Sequence, residues 1–244
     1  MKYTTARLSS ARAALHAAAS PKKAAILHRF FKTGKGEYGE GDQFIGVVVP
    51  TQRKIAARFK SLPVADIVRL LHSPIHEERL TALLIMVDHY ARGSQAIKRT
   101  IYKTYLANAS CINNWDLVDL SAPNIVGNHL LNKPGTALKR LARSHNLWER
   151  RIAIISTLTF IRHGNFSDTL AISEILLRDR HDLIHKAVGW MLREVGKRDR
   201  SVLDAFLTRH AARMPRTTLR YAIEKYPEQE RKHLLAVSRN TKNP

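Results

Sequence analysis

Asn114-Trp115-Asp116-Leu117-Val118 is the stretch that decides the fold, because the chain repeats its pattern four more times. The five copies align on a small residue within a helix-like run of apolar positions, at intervals of 36, 35, 34 and 35 residues. The aligned small residues are Ala82, Val118, Ala153, Ala187 and Ala222. A small residue at a fixed place in a helix pair lets neighbouring helices approach closely. A period of this length with two helices per unit is typical of an α-solenoid.

Helix-ending residues separate the apolar segments over the rest of the chain. Proline and glycine breaks recur at Ser61-Leu62-Pro63, Ser73-Pro74, Lys133-Pro134-Gly135 and Met214-Pro215. The one plausible strand, Phe44 to Pro50, ends in Pro50-Thr51 just before a helical pattern, which favours an extended lead-in to a helix. The sequence therefore predicts an all-α fold. We expect an α-solenoid of HEAT-like repeats, C-shaped with a concave basic face, in a single domain 1–244 whose ordered repeats span about 21–235.

Two features near the start of the chain need a separate interpretation. The basic, alanine-rich residues 1–23 predict a first helix, with Ser20-Pro21 as the break before the second. The glycine-rich run Gly34 to Gly41 lacks the spacing and the terminal Gly-Lys-Ser/Thr of a phosphate-binding loop. We interpret this run as a flexible connector.

The charge of the chain indicates a polyanionic partner. Lys and Arg number 41 against 20 Asp and Glu in 244 residues, a formal net charge of +21. Such an excess favours DNA or RNA as the ligand. The single cysteine, Cys111, excludes an internal disulfide and a thiolate metal cluster, and indicates a reducing compartment. We expect a cytoplasmic monomer that associates with the nucleoid through DNA, with no membrane segment, no metal and no cofactor.

Trp115 and Asp119 carry the chemistry that the pattern suggests. They are four residues apart, so on a helix both project from one face. Arg151 and Trp190 lie at nearby repeat positions in the next two units. The second helices of such arrays usually line the concave surface, so the four side chains are candidates for one channel.

Each of these residues also has a purely structural interpretation. Trp115 and Trp190 fit core positions, and Trp190 fits one better because apolar residues surround it. Asp119 fits a helix cap or a surface ion pair. Arg150 and Arg151 fit a solvated face.

Three blocks of sequence resemble the AlkD-type DNA glycosylases. They are Asn114 to Asp119 followed by Gly127 and Leu130, then Trp148 to Ala153, and then Lys186 to Glu194. Phe44, Gly46, Pro50 and Arg53 also match the N-terminal block of that family. The resemblance runs from about Pro21 to Leu235. Each block is weak alone, and their order on a basic helical-repeat chain makes the signal specific.

The resemblance implies a monofunctional glycosylase that removes N3- or N7-alkylated purines from duplex DNA without flipping the base. The catalytic residues implied by the motifs are Asp119, Trp115, Trp190 and Arg151, the second of two adjacent arginines. Further basic residues are expected to grip phosphates without reading bases: Arg150, Arg193, Lys197, Arg216 and Arg53.

Two other functions remain open from the sequence. One is a non-catalytic helical-repeat protein that binds structured DNA or RNA through the same basic surface. The other is a scaffold for acidic proteins, which fits the fold but leaves Trp115 and Asp119 unexplained. His72 and His76 straddle Pro74, so they do not predict a metal-ligand pair on one helix.

Overall fold

The computed structural model describes residues 7–240, with side chains to residue 236. Within that range the secondary structure is helical, and it contains no strand beyond an isolated bridge between Gln43 and Ile75. The α-helices are α1 (Leu8–Ala17), α2 (Pro21–Phe30), α3 (Val49–Arg58), α4 (Val64–Leu71), α5 (His76–Arg92), α6 (Gln95–Ala107), α7 (Trp115–Ala122), α8 (Asn128–Leu130), α9 (Thr136–Ala142), α10 (Leu147–Arg162), α11 (Ser167–Leu176), α12 (Asp182–Arg198), α13 (Arg200–His210), α14 (Arg216–Ala222) and α15 (Glu228–Asn240). Short 3₁₀ turns occupy Ala109–Cys111 and Ala211–Arg213, and a π-helical segment occupies Pro123–Gly127. The predicted all-α class is confirmed.

The sequence breaks mark the helix starts. Pro21 occupies the first turn of α2, where its missing N–H costs nothing. The side chains of Ser94, Asn146 and Asp199 accept hydrogen bonds from backbone N–H groups at the starts of α6, α10 and α13. The break at Ser20-Pro21 separates α1 from α2 as predicted, whereas residues 1–6 lie outside the described part of the chain.

Helix pairs recur along the chain as α4/α5, α6/α7, α9/α10, α11/α12 and α13/α14. Each aligned segment lies in the second helix of its pair. The five small residues, Ala82, Val118, Ala153, Ala187 and Ala222, are all at most 1% exposed. Second helices pack on one another, since α5 contacts α7, α10 contacts α12, and α12 contacts α14. The fold is therefore an α-solenoid of helical repeats.

Gly189 shows how closely α12 and α14 approach. A Cβ atom at this position would lie 2.4 Å from Tyr221 Cβ and 2.6 Å from the Thr218 carbonyl oxygen. Any larger residue would push α14 away, so this glycine serves packing.

Residues 44–48 form the extended lead-in to α3 that the sequence favoured over a strand. The buried Glu77 carboxylate of α5 accepts hydrogen bonds from the N–H groups of Ile45, Gly46 and Val47 at 2.7–3.2 Å. Hydrogen bonds to a charged group contribute about 1.5–3 kcal/mol each. Gly46 has φ 83°, and a Cβ there would lie 2.1 Å from the Ser20 carbonyl oxygen, so only glycine fits.

The chain divides into two compact units, Met1–Ile125 and Val126–Pro244. The boundary falls inside the π-helical segment rather than in a loop. Trp115 and Asp119 belong to the first unit, and Arg151 and Trp190 belong to the second. No helix in the described residues has both the length and the apolar character needed to cross a bilayer.

Candidate functional site

Helix α7 places Trp115 and Asp119 on one face. Trp115 is its first residue, and Asp119 follows one turn later. Both side chains are partly exposed. Asn114 precedes the helix, and its side-chain oxygen accepts the Trp115 N–H at 2.8 Å. The helix predicted across these two residues is present.

Buried polar contacts from two other segments hold the start of α7. Asn114 Nδ2 donates to Asp42 at 3.0 Å, and the same carboxylate pairs with Arg79 of α5 at 2.6 Å. His76, the first residue of α5, lies between two carboxylates. Its Nδ1 is 3.3 Å from Asp42, and its Nε2 is 2.9 Å from Asp116 of α7. These groups join the end of the glycine-rich run, α5 and α7 into one network.

The network lowers the pKa of Asp42 and raises the pKa of His76. Burial alone would raise the pKa of Asp42, but the His76 hydrogen bond, the Arg79 charge and the Asn114 hydrogen bond outweigh it and lower that pKa below 3.8. Burial alone would lower the pKa of His76, but its hydrogen bonds to Asp116 and Asp42 outweigh burial and raise that pKa above 6.5. The charged forms of both groups are therefore stabilised together.

Aromatic side chains orient the Trp115 indole. It stacks on Phe31 with ring centroids 5.4 Å apart, and Phe30 meets it edge-on at 6.0 Å. Phe31 stacks in turn on Phe44 at 5.1 Å. Phe30 itself is 60% exposed, so an aromatic edge beside Trp115 faces solvent.

The glycine-rich run supplies the polar partner of this indole. Trp115 Nε1 donates to the Tyr38 hydroxyl at 3.2 Å. The run folds on itself in turns, since the N–H groups of Gly34 and Gly36 donate to Glu37 and Glu40. Our interpretation of this run as a connector therefore missed a contact with a candidate catalytic residue.

Asp119 lies near a buried hydroxyl pair. Tyr105 of α6 donates to Ser121 at 2.8 Å, because Ser121 uses its own hydrogen on the Leu117 carbonyl oxygen at 2.5 Å. Burial raises the pKa of Tyr105, and the negative charge of Asp119 adds to this effect. The charge of the Asp119 carboxylate is thus felt at the Tyr105 hydroxyl, while part of the Asp119 side chain stays exposed.

In the second unit, Arg150 and Arg151 have different surroundings. Arg150 pairs with Asp179 at 2.5 Å and donates to the carbonyl oxygens of Ser144 and His145. Arg151 is only 5% exposed, and its Nη1 donates to the Leu183 carbonyl oxygen at 2.6 Å. The Arg150 guanidinium therefore braces α10 against the segments that follow α9 and α11, and the Arg151 guanidinium braces α10 against α12. A solvated face, one of the interpretations left open, is wrong for Arg151.

Trp190 lies on α12 and is partly exposed. Its Nε1 donates to Glu194, one turn later, at 3.2 Å. Glu194 also pairs with Lys197 at 2.7 Å. This bond ties the indole to its own helix, and among the described residues no aromatic ring stacks on it as Phe31 does on Trp115.

The remaining predicted DNA-binding residues are partly engaged within the protein. Arg193 pairs with Glu224, and Arg216 donates to the Leu235 carbonyl oxygen at 2.8 Å. Arg53 of α3 is exposed and lines a groove of about 350 Å³ with Lys60 and Arg92. A phosphate that binds Arg193 has to compete with the Glu224 carboxylate. Arg53 forms no ion pair within the described residues, so a phosphate can bind it without such competition.

The sequence analysis did not identify Tyr38, Asp42 or His76 as residues that support Trp115 and Asp119. The sequence alone gives little sign of such contacts, because Asp42 and Asn114 are 72 positions apart and only the fold brings them together. The described residues contain no group of three or more His, Cys, Asp or Glu side chains able to hold a metal ion.

Comparisons with known proteins agree with this fold. A family model described as DNA alkylation repair enzyme matches residues 11–226. A solved structure named "Predicted DNA alkylation repair enzyme from Enterococcus faecalis" superposes with a TM-score of 0.66 at 16% identity, covering 86% of this chain and 97% of that one. At that identity the likeness shows the fold alone. No curated protein matches the chain. Since the family model spans most of its length, the chain belongs to the DNA alkylation repair enzyme family, with DNA as its partner and a role in the repair of alkylated DNA.

Proposed function

We propose that the protein is a monofunctional DNA glycosylase that hydrolyses the N-glycosidic bond of cationic N3- or N7-alkylated purines in duplex DNA, without flipping the base. The observation that carries the proposal is the pairing of Trp115 and Asp119 on one face of α7. Both are partly exposed, and a buried network fixes the start of their helix. A carboxylate beside an indole suits a reaction that develops positive charge.

The charge of the substrate explains why one carboxylate suffices. An N3- or N7-alkylpurine is cationic, so it leaves as a neutral base and needs no general acid. Ordinary glycoside hydrolysis divides this work between two carboxylates. Water adds to C1′ of the deoxyribose as the C1′–N bond breaks. The bonding pair stays with the base nitrogen, and one water proton is released through Asp119, leaving an abasic site.

Asp119 acts on the transition state in this proposal. The sugar becomes oxocarbenium-like, and the carboxylate stabilises that charge and orients the water. Trp115 offers an electron-rich ring face to that cationic centre, worth about 0.5–2 kcal/mol. Trp190 is proposed as a second catalytic indole on the strength of its motif alone. The Trp115 ring has the firmer support for this role, because Phe31 and Tyr38 hold it.

Basic residues are proposed to bind the phosphate backbone of DNA. Arg151 is proposed to contact a backbone phosphate near the lesion, and a planar guanidinium suits bidentate contact with phosphate. Arg53, Arg150, Arg193, Lys197 and Arg216 are proposed as further phosphate contacts. Because these contacts release counterions, binding should weaken steeply with salt.

Asp119→Asn tests the catalytic assignment. The amide keeps the shape of the side chain and removes its charge. We expect release of 7-methylguanine from methylated duplex DNA to fall by about 100-fold or more. Affinity for the same duplex should stay equal or rise, because a negative charge near phosphates is lost. Both quantities are measured on purified protein, by base release and by titration of labelled duplex.

Asp66→Asn is the matched control. Asp66 is on α4 and forms a surface pair with Arg69, so its loss should change neither quantity. Retention of wild-type turnover by the Asp119→Asn protein would refute the assignment of Asp119.

A further inference from the structure

Three arginines recur at one place in three successive repeats of the second unit. Arg143, Arg178 and Arg213 are each 35 residues apart. Each follows the end of the first helix of its pair, namely α9, α11 or α13. All three are exposed, and all three line one pocket of about 500 Å³. The other lining residues are Glu174, Ile175, Leu177 and His210.

The pocket carries a net positive charge. Arg213 Nη2 lies 3.0 Å from His210 Nδ1, and because a guanidinium only donates, that ring nitrogen must accept. The hydrogen of His210 is then on Nε2, which faces Glu174 at 3.1 Å. Glu174 is therefore held by the buried histidine rather than by an arginine. Three guanidinium charges against one carboxylate leave about +2 in the pocket.

These arginines differ from others in the same unit. Arg150, Arg193 and Arg200 each pair with a carboxylate. Within the described residues, no ion pair involves any of the three pocket arginines, and Arg178 makes no hydrogen bond. Their charges are therefore available to a ligand.

Helix capping explains only part of this arrangement. A basic residue at a helix C-terminus is stabilised by the helix dipole, and Arg143 Nη1 does donate to the Lys139 carbonyl oxygen of α9 at 3.1 Å. Capping accounts for one arginine per helix. It does not require all three to open into one pocket, where their charges repel one another.

We infer that Arg143, Arg178 and Arg213 form a binding site for phosphate groups, separate from the residues proposed for glycosidic-bond hydrolysis. Guanidinium groups match phosphate bidentately. Neighbouring helices lie about 8–10 Å apart, so a row with one arginine per repeat suits an extended polyanion. The backbone of a nucleic-acid strand is the favoured source, and a free phosphate anion offers the same chemistry.

The test compares two variants of equal charge. The pocket variant replaces Arg143, Arg178 and Arg213 with Ser. The control variant replaces three exposed arginines outside the pocket with Ser: Arg140, Arg162 and Arg209. Affinity for an unmodified 21-base-pair duplex is measured from about 50 to 200 mM NaCl. Undamaged DNA makes the result independent of the proposed hydrolysis.

If nucleic acid occupies the pocket, the slope of log Kobs against log salt should become shallower by about 2–3 in the pocket variant relative to the control, since each phosphate contact contributes about 0.9. If a free anion occupies it, sodium phosphate at matched ionic strength should raise the Tm of the wild type and the control but not of the pocket variant. Equal behaviour of both variants in both measurements overturns the site.

Arg178→Ser alone keeps the test independent of folding, because it removes no capping bond. Arg162→Ser is its single control. The same two readouts apply, with a slope change of about 1 for Arg178→Ser if nucleic acid binds there.

Discussion

Trp115 is the residue whose surroundings say most about the site. Phe31 covers a face of its indole, Phe30 meets it edge-on, and Tyr38 accepts its N–H. These contacts set the ring plane before any substrate binds. Preorganisation of this kind lowers the cost of orienting a catalytic group during reaction.

Tyr38→Phe should lower kcat while leaving KM nearly unchanged. The change removes the acceptor for Trp115 Nε1 and keeps the ring. A hydrogen bond of about 0.5–1.5 kcal/mol corresponds to a loss of roughly 2- to 12-fold. Steady-state base release gives both constants. Tyr226→Phe, which removes a hydrogen bond to Asp204 in the other unit, is the control and should match wild type. A rise in KM with kcat intact would mean that Tyr38 serves binding instead.

Arg151→Ala should reduce base release more than Arg150→Ala. In contrast, Arg150→Ala should cost more stability, because it leaves the buried Asp179 carboxylate without its charged partner, a loss on the order of 3 kcal/mol. Release rates and urea unfolding of both variants separate the two effects. A larger activity loss for Arg150→Ala, after correction for the folded fraction, would reverse the assignment of the phosphate contact.

At the scale of elements, the start of α7 depends on the Asp42–His76–Asp116 network. His76 has a raised pKa, so the stability it contributes is fully present below its ordinary value of 6.5 and is lost as pH rises through the folded value. Asp42 has a lowered pKa, so its contribution is present above 3.8 and is lost as pH falls through the folded value. The contribution of the network is therefore greatest between about pH 4 and 6.5.

His76→Gln should flatten the alkaline side of the stability profile. Wild type should lose more Tm between pH 6 and pH 9 than the variant does, although the variant is less stable throughout because Asp42 and Asp116 lose a partner. Thermal unfolding monitored by circular dichroism across this range measures both effects. His145→Gln changes an exposed histidine and should follow wild type. A variant whose Tm falls as steeply as wild type would exclude His76 as the titrating group.

The elements were largely predictable because they rest on local pattern. The 35-residue spacing, the proline breaks and the lead-in to α3 all appear in the structure. The contacts that hold the candidate site residues in place were not predictable from the sequence. Tyr38 and Trp115 are 77 positions apart, and no periodicity relates a glycine-rich run to the helix that it contacts. Position along a helix can be inferred from spacing, whereas contacts between distant segments depend on the packed fold.

At the scale of the whole molecule, the charge of +21 agrees with a partner of opposite sign, and membership of the family supplies DNA as that partner. Net charge overstates what DNA can use, however. Arg79 is buried against the Asp42 carboxylate, and a phosphate at Arg150 or Arg193 has to compete with Asp179 or Glu224. Composition indicates the class of partner, and only the folded chain shows which cations remain available to it.

Base release by the wild-type protein tests the central claim most directly. Purified protein is incubated with duplex DNA that carries 7-methylguanine, and free base and abasic sites are quantified alongside duplex affinity. The proposed glycosylase should release 7-methylguanine and leave one abasic site per base released. Tight binding of the duplex with no release of base would contradict it and identify a non-catalytic DNA-binding member of the family.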